Sequence, residues 1–148
     1  MFHFGQINLQ HSRSATAIMY NYVYNKKCTF VYFLTEPYLV QGKITGLGRS
    51  GKLISGGESP RAAIWTNTKA NIWPVSSFTS RDMATCRLDL EHEQIYLASV
   101  YCDINDKKVI PVPLIQLVEH CINSNFKLII AADSNAHSVL WNEAETNK

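Results

Sequence analysis

The sequence lacks paired cysteines, long apolar runs and a strong excess of either charge, and each absence excludes a class of protein. The four cysteines stand singly and far apart, at positions 28, 86, 102 and 121, with no C-x-x-C pair. Zinc sites and dithiol redox sites commonly use such pairs, so the sequence supports neither. We interpret these cysteines as reduced and mostly buried small hydrophobic residues.

No stretch approaches the roughly 18 uninterrupted apolar residues of a membrane span. The N-terminus also lacks the basic and then apolar pattern of a signal peptide. We therefore expect a soluble intracellular protein, cytosolic or nuclear, without a membrane partner. The formal charge of +2 is too small to indicate a nucleic-acid binder by itself.

The composition is that of a folded globular protein. Of the 148 residues, 46% are hydrophobic and 18% are charged, and there is no internal repeat, linker or low-complexity tract. We expect one domain over residues 1–148. The polar segment after Trp141 has no further predicted element, so we expect the domain to be incomplete at its C-terminus.

Apolar periodicity predicts a mixture of helices and strands. Ser12 is a candidate N-cap for a helix at about 13–26, and Pro113 opens a second amphipathic helix. Leu114, Leu117, Val118, Cys121 and Ile122 share one face of this second helix. Strands are predicted at about 2–7, 29–34, 61–66, 71–76, 83–91, 95–101 and 127–132.

Two of these strands, 29–34 and 127–132, are continuously apolar and are predicted to be buried on both faces, and 83–91 with 95–101 predicts an antiparallel hairpin. This pattern favours an α/β fold, a two-sheet sandwich flanked by helices, over a doubly wound parallel sheet.

The glycine-rich segment from Tyr38 to Pro60 predicts loops and a short hairpin. Residues 46–52 have the spacing of a phosphate-binding P-loop, but Leu53 replaces the required Ser or Thr and no helix follows, so we reject this interpretation. The basic residues of the region are better regarded as candidate phosphate-backbone contacts, with a solvated loop as the alternative: Lys43, Arg49, Lys52 and Arg61.

Polar residues follow three of the predicted strands, at 8–12, at 36–37 and at 133–137. Strand ends display reactive groups on a rigid backbone, so Asn8, Glu36, Asp133 and Asn135 could meet at one mouth of the sandwich. Carboxylate and amide oxygens favour Mg²⁺ over zinc.

Each residue taken alone also has a structural explanation. Asn8 could cap a turn, Glu36 could be a solvated strand end forced into an extended exit by the following proline, and 133–135 could be an Asx-turn. His11 and His137 could be surface histidines.

Four segments follow one another in a recognisable order: Gln6 to Thr16, Leu34 to Tyr38, Ala98 to Tyr101 and Ala132 to Trp141, of which the last is the most specific. Together they resemble the endonuclease domain of insect-type non-LTR retrotransposons, in the endonuclease/exonuclease/phosphatase superfamily. Arg61 to Ile64 also resembles a core strand of these domains, so the resemblance covers essentially the whole chain. It implies a deoxyribonuclease-like or AP-endonuclease-like sandwich.

The resemblance implies metal-assisted cleavage of a DNA phosphodiester that leaves a 3′ hydroxyl to prime reverse transcription. Glu36 would hold Mg²⁺, or Mn²⁺ in its place, with Asn8 beside it. Tyr101 and Asn135 would donate hydrogen bonds to the phosphate, and Asp133 would orient the water or serve the leaving group. The implied partners are DNA and a reverse transcriptase domain in the intact protein, and the implied location is nuclear.

The chain departs from this pattern at two places. Gln10 stands where many superfamily members carry an acidic residue, and nothing after Trp141 resembles the Ser-Asp-His block that supplies the general base. Losing a proton-transfer group costs on the order of 10² to 10⁴ in rate, so we expect the isolated chain to be nearly inactive and marginally folded. The alternatives are a catalytically dead remnant that at most binds nucleic acid, and a phosphomonoesterase on the same fold.

Overall fold

The structure is a computed structural model that describes residues 2–26, 28–67, 69–105 and 110–135. His137 and the rest of the segment from Ala136 to Trp141 lie outside the described residues. The helices and strands follow one another along the chain as β1 (Phe2–Asn8), α1 (Arg13–Tyr24), β2 (Thr29–Thr35), β3 (Leu39–Val40), β4 (Lys43–Ile44), β5 (Gly51–Ser55), β6 (Ala62–Asn67), β7 (Ile72–Pro74), β8 (Met83–Asp89), β9 (Gln94–Tyr101), α2 (Val112–Asn123) and β10 (Lys127–Asp133). A 3-10 helix, Ser76–Phe78, lies between β7 and β8.

Within these residues the strands form two four-stranded sheets and a small hairpin of β3 and β4. The first sheet has the order β1-β2-β6-β5, and the second has the order β10-β9-β8-β7. Each sheet contains one parallel pair, β1 with β2 and β9 with β10, while the other neighbours are antiparallel. The predicted α/β two-sheet sandwich with helices outside is confirmed.

Three apolar clusters hold these layers together. Between the sheets, Val31 and Phe33 of β2 pack with Ile64 of β6 and with Leu88 and Leu97 of the second sheet. Burying such side chains contributes about 1.5–3 kcal/mol each. A second cluster packs α1 on the outer face of the first sheet, and a third packs α2 on the second sheet. The helices therefore cover the outer faces of the two sheets.

The first helix begins where the sequence predicts. Ser12 is its N-cap, and the Ser12 hydroxyl accepts a hydrogen bond from the amide of Ala15 at 3.1 Å. The helix ends at Tyr24, two residues before the predicted end. The antiparallel hairpin of β8 and β9 and the buried strand β2 are also confirmed.

Three predictions are wrong in detail. Within the described residues β10 is an edge strand that pairs with β9 alone, and Ile129 and Ile130 are exposed, so this strand is not buried on both faces as predicted. Ile122 is also exposed, since α2 turns Leu117 and Cys121 toward the sheet instead. The glycine-rich region contains an additional strand, β5, which pairs with β6 and takes the place that a P-loop helix would need.

The cysteines fit their expected role. Cys86, Cys102 and Cys121 are buried and Cys28 is half-buried, and all four are free thiols. Burial raises the pKa of the Cys86 thiol to about 12, so this thiol is protonated and unreactive at neutral pH. None of the helices in the described part of the chain is long and apolar enough to cross a membrane.

Candidate active site

The five candidate site residues lie at or just after the carboxyl ends of four strands. Asn8 ends β1, Glu36 follows β2, Tyr101 ends β9, Asp133 ends β10, and Asn135 comes two residues later. In each parallel pair the last residues are register partners, Asn8 with Thr35 and Tyr101 with Asp133. Because the Asn8 and Asp133 side chains are hydrogen-bonded, the two parallel pairs end at the same rim of the sandwich, which we call the site rim.

Asp133 joins the two sheets at this rim. The Asp133 Oδ2 atom accepts a hydrogen bond from Asn8 Nδ2 at 2.7 Å and another from Thr35 Oγ1 at 3.3 Å. The Asn8 Oδ1 atom accepts from the backbone amide of Gln10 at 2.8 Å, which fixes the orientation of the Asn8 amide. Asn8 and Asp133 are thus brought together as the sequence predicts.

Glu36 is held by its backbone and leaves its carboxylate accessible. Its amide donates to the Arg61 carbonyl at 2.9 Å, and its carbonyl accepts from the amide of His11 at 2.8 Å. The Glu36 φ is 46°, a left-handed turn and not the extended exit expected before Pro37. Hydrogen bonds on both sides of the residue hold this unfavourable conformation, and such strain is common at functional sites.

His11 lies beside the Glu36 carboxylate. Its Nε2 is 3.7 Å from Glu36 Oε1, and its Nδ1 is 3.1 Å from the carbonyl of Pro37. Because a carbonyl oxygen only accepts, His11 Nδ1 must carry a proton. The His11 ring is therefore held at the rim by contacts with both residues of the Glu36-Pro37 turn.

Tyr101 is a protonated donor at neutral pH. Burial raises the pKa of the Tyr101 phenol, and the negative charges of Glu36 and Asp103 raise it further. The positive charge of Arg61 and a hydrogen bond with the Asn135 side chain act in the opposite direction, and the net change is upward. The Tyr101 hydroxyl therefore keeps its proton and can donate it in a hydrogen bond.

Asn135 connects the loop after β10 to the loop after β9. Its Nδ2 donates to the Cys102 carbonyl at 2.9 Å. Its φ is 45°, in the left-handed region that asparagine tolerates better than most residues. An Asx-turn, the alternative explanation for this segment, is therefore not the whole role of Asn135, because its side chain reaches the end of β9.

Arg61 was predicted to contact the phosphate backbone, but its side chain is engaged within the protein. Its guanidinium donates through Nε and Nη2 to Asp82 and through Nη1 to Asp103, with Nη contacts of 2.6 Å. These two carboxylates occupy the guanidinium and raise its pKa. The hydrogen bonds to Asp82 make the largest contribution to this change. The other predicted cations, Lys43, Arg49 and Lys52, are exposed, and the Lys52 ammonium donates to the Ala70 carbonyl at 3.4 Å.

An open groove of about 490 Å³ lies between the ends of β1 and β10. Its polar lining consists of Gln6, Asn8, Gln10, Thr35, Asp133 and Ser134. Glu36 and Tyr101 do not line this groove. The site rim thus has two parts, the groove with Asn8 and Asp133, and the adjoining turns that carry Glu36 and Tyr101.

The donor atoms at the site rim suit a hard cation. The described residues contain no cluster of three His, Cys, Asp or Glu side chains that could enclose a metal ion. The rim instead offers the Glu36 and Asp133 carboxylates and the Asn8 amide oxygen. Mg²⁺ is commonly bound by one or two carboxylates while it keeps several waters, so this sparse oxygen set fits Mg²⁺ and would suit zinc poorly.

Two features of the site were missed from the sequence. Thr35 is almost completely buried, and its hydroxyl reaches Asp133 across the two sheets. The Arg61 cluster with Asp82 and Asp103 was also missed. All of these residues lie at or near the ends of predicted strands, but nothing in the sequence indicates which of them contact one another.

The fold and the site rim together define the class of the molecule as an α/β two-sheet sandwich with an oxygen-rich rim at its strand ends. Among solved structures, the chain is similar to the endonuclease domain of TRAS1, a telomere-specific non-LTR retrotransposon. The TM-score is 0.71 at 20% identity, over 96% of this chain and 63% of that chain. This likeness confirms the fold part of the resemblance seen in the sequence.

The chain therefore spans about two thirds of the length of that domain. No protein-family model matches it. No curated protein matches it either.

Proposed function

We propose that this chain is a Mg²⁺-dependent DNA endonuclease domain that hydrolyses a phosphodiester and leaves a 3′ hydroxyl. One observation carries the proposal: the hydrogen bond between Asn8 and Asp133 unites the two sheets at a rim that also bears Glu36 and Tyr101. The similarity of the fold to a retrotransposon endonuclease domain supports the choice of DNA as the substrate.

Glu36 and Asn8 are the proposed metal-holding residues. The Glu36 side chain is 25% exposed, so its carboxylate is reachable and yet fixed by the backbone contacts of its turn. The Asn8 amide oxygen accepts one hydrogen bond, from Gln10, and keeps a second lone pair. A bound Mg²⁺, or Mn²⁺ in its place, supplies neutralisation of the charge that develops on the phosphate oxygens.

Tyr101 and Asn135 are the proposed donors to the phosphate. The raised pKa of Tyr101 keeps its phenol neutral, so it donates a proton in a hydrogen bond without adding negative charge to the site. The Asn135 amide donates one hydrogen bond, to the Cys102 carbonyl, and has a second N–H to donate. We propose that a phosphate oxygen accepts from this second N–H and from the Tyr101 hydroxyl, so that both groups face the same oxygen.

Asp133 is the proposed residue for water or the leaving group. Its Oδ2 is already occupied by Asn8 and Thr35, which fix the plane of the carboxylate. Its other oxygen is then the one directed to the reaction. A carboxylate fixed in this way can accept a proton from water or orient it without reorganising.

The wider setting follows from the same proposal. We propose that DNA is the partner, that a reverse transcriptase domain belongs to the intact protein, and that the protein acts in the nucleus. Lys43 and Arg49 remain the proposed contacts to the DNA backbone, since both are exposed.

The test is nicking of supercoiled plasmid by the full chain with Mg²⁺, at high protein concentration and over long incubation. We expect slow nicking, lost with EDTA and in Glu36→Ala. The matched control is Glu91→Ala, because Glu91 is an exposed carboxylate in the turn between β8 and β9, away from the strand ends of the site rim. Extension of the nicks by a DNA polymerase would confirm the 3′ hydroxyl.

Two results would overturn the proposal. Plasmid that stays intact while the chain retards DNA in a gel would indicate a remnant that only binds nucleic acid. Hydrolysis of a soluble phosphomonoester, without nicking, would indicate a phosphomonoesterase on the same fold. Nicking that persists in Glu36→Ala and equals that of Glu91→Ala would exclude Glu36 as the metal residue.

A further inference from the structure

We infer that Arg61 is a positioning residue of the active site, which holds Tyr101 and Glu36 in place through a clamp with Asp82 and Asp103. The part of this inference that concerns catalysis rests on the proposed function. The geometry of the clamp itself is independent of the reaction.

The clamp joins the two sheets at the site rim. Arg61 directly precedes β6 of the first sheet, whereas Asp82 precedes β8 and Asp103 follows β9 in the second sheet. The guanidinium donates to Asp82 through two nitrogens and to Asp103 through a third. All three side chains are only 20% to 29% exposed, so water competes weakly for these hydrogen bonds.

The main chain of the same residues holds the proposed site residues. The Arg61 carbonyl accepts from the amide of Glu36 at 2.9 Å, and the Asp82 carbonyl accepts from the amide of Tyr101 at 2.8 Å. The amide of Arg61 in turn donates to the Arg81 carbonyl at 2.7 Å. Movement of either end of the clamp would therefore move a proposed catalytic group.

The guanidinium also faces the ring of Tyr101. Its central carbon is 4.7 Å from the ring centroid, within the range of a cation–π interaction. Because three hydrogen bonds fix the guanidinium, the ring packs on a surface that does not rotate. A lysine would keep the charge, but it lacks the planar fork and could not hold both carboxylates in this way.

The test compares Arg61→Lys with Arg87→Lys. Arg87 makes a similar bidentate pair, with Asp89 at 2.7 and 2.9 Å, at the end of β8 that lies away from the site rim. The full chain is labelled with 3-fluorotyrosine, and the ¹⁹F resonance of Tyr101 is assigned by its loss in Tyr101→Phe. Thermal unfolding is measured for every variant, so that a loss of stability is separated from a change at Tyr101.

We expect Arg61→Lys to move the Tyr101 resonance by more than its linewidth and Arg87→Lys to leave it unchanged. If the chain nicks plasmid, Arg61→Lys should lower kcat about tenfold with KM changed less than about twofold, because a misplaced donor costs rate more than binding. A Tyr101 resonance that is the same in Arg61→Lys as in Arg87→Lys would overturn the inference.

Asp103→Asn is the second variant, for the case in which Arg61→Lys does not fold. It removes one carboxylate and leaves the Asp82 pair intact. We expect the Tyr101 resonance to move and the pKa of its phenol to fall, since the Asp103 charge raises that pKa. An unmoved resonance overturns the inference here too. A moved resonance in a chain without nuclease activity supports the clamp and rejects the proposed function.

Discussion

The contact between Asp133 and Thr35 allows a detailed prediction about stability. Asp133 Oδ2 accepts from the hydroxyl of Thr35, which is 1% exposed, and from the amide of Asn8, which is exposed. Asp133→Ala leaves the buried Thr35 hydroxyl without this acceptor. An unsatisfied buried hydroxyl costs about 1–3 kcal/mol, while the exposed Asn8 amide recovers a water and costs little.

We therefore expect Asp133→Ala to lower the free energy of unfolding by about 2 kcal/mol in urea denaturation. For a domain of this size that corresponds to a fall in Tm of roughly 4–8 °C. Most of this loss comes from one hydroxyl, so a second substitution can test its origin. Thr35→Val removes that hydroxyl and keeps nearly the same shape.

In the wild type, Thr35→Val should cost about 1 kcal/mol, because it removes a hydrogen bond. In the Asp133→Ala chain it should cost nothing or restore stability, because it removes an unpaired group. The expected coupling is about 1 kcal/mol, within the range measured for residues in contact. Changes that add to within about 0.3 kcal/mol would refute this explanation of the Asp133 effect.

The clamp and the contact between sheets give two further predictions. The hydrogen bond from Arg61, and next that from the backbone of Asn105, lowers the pKa of Asp103 below its usual 3.8. The contribution of Asp103 to stability should thus be present above about pH 4 and be lost as the pH falls through the lowered pKa. When unfolding is measured against pH, the difference in unfolding free energy between wild type and Asp103→Asn should shrink at acid pH. A difference that stays constant would contradict this. Ser99 is fully buried and donates to the Leu34 carbonyl at 3.0 Å across the two sheets, so Ser99→Ala should cost about 1 kcal/mol in urea unfolding, and an unchanged midpoint would contradict the contact.

The sequence predicted the elements whose signals are local. The N-cap at Ser12 and the apolar run of β2 were read correctly because capping and buried strands depend on adjacent residues. The exposure of Ile129 was not predictable, because an apolar strand looks the same whether it lies at the centre or at the edge of a sheet. β5 was missed because its pairing partner, β6, determines it more than its own glycine-rich composition.

The site was predictable to the same extent. Asn8 and Asp133 could be expected to meet, because polar residues at the ends of apolar strands share a rim in a sandwich. The partners of Thr35 and Arg61 could not be expected, since both contacts join different sheets and depend on how the sheets pack. The left-handed turn at Glu36 also required the neighbouring strands, whose hydrogen bonds overcome the local preference before proline.

Binding of Mn²⁺ to the full chain, followed by electron paramagnetic resonance, tests the metal site without requiring catalysis. Free Mn²⁺ gives a sharp signal that binding removes, and Mg²⁺ should compete for the same site. We predict one Mn²⁺ site. Its affinity should fall at least about tenfold in Glu36→Gln, since a carboxylate is the main charged ligand of a hard divalent cation. Its affinity should be unchanged in Glu91→Gln. Equal binding by the two variants, or none by the wild type, would contradict the assignment of Glu36 and with it the account of the site rim.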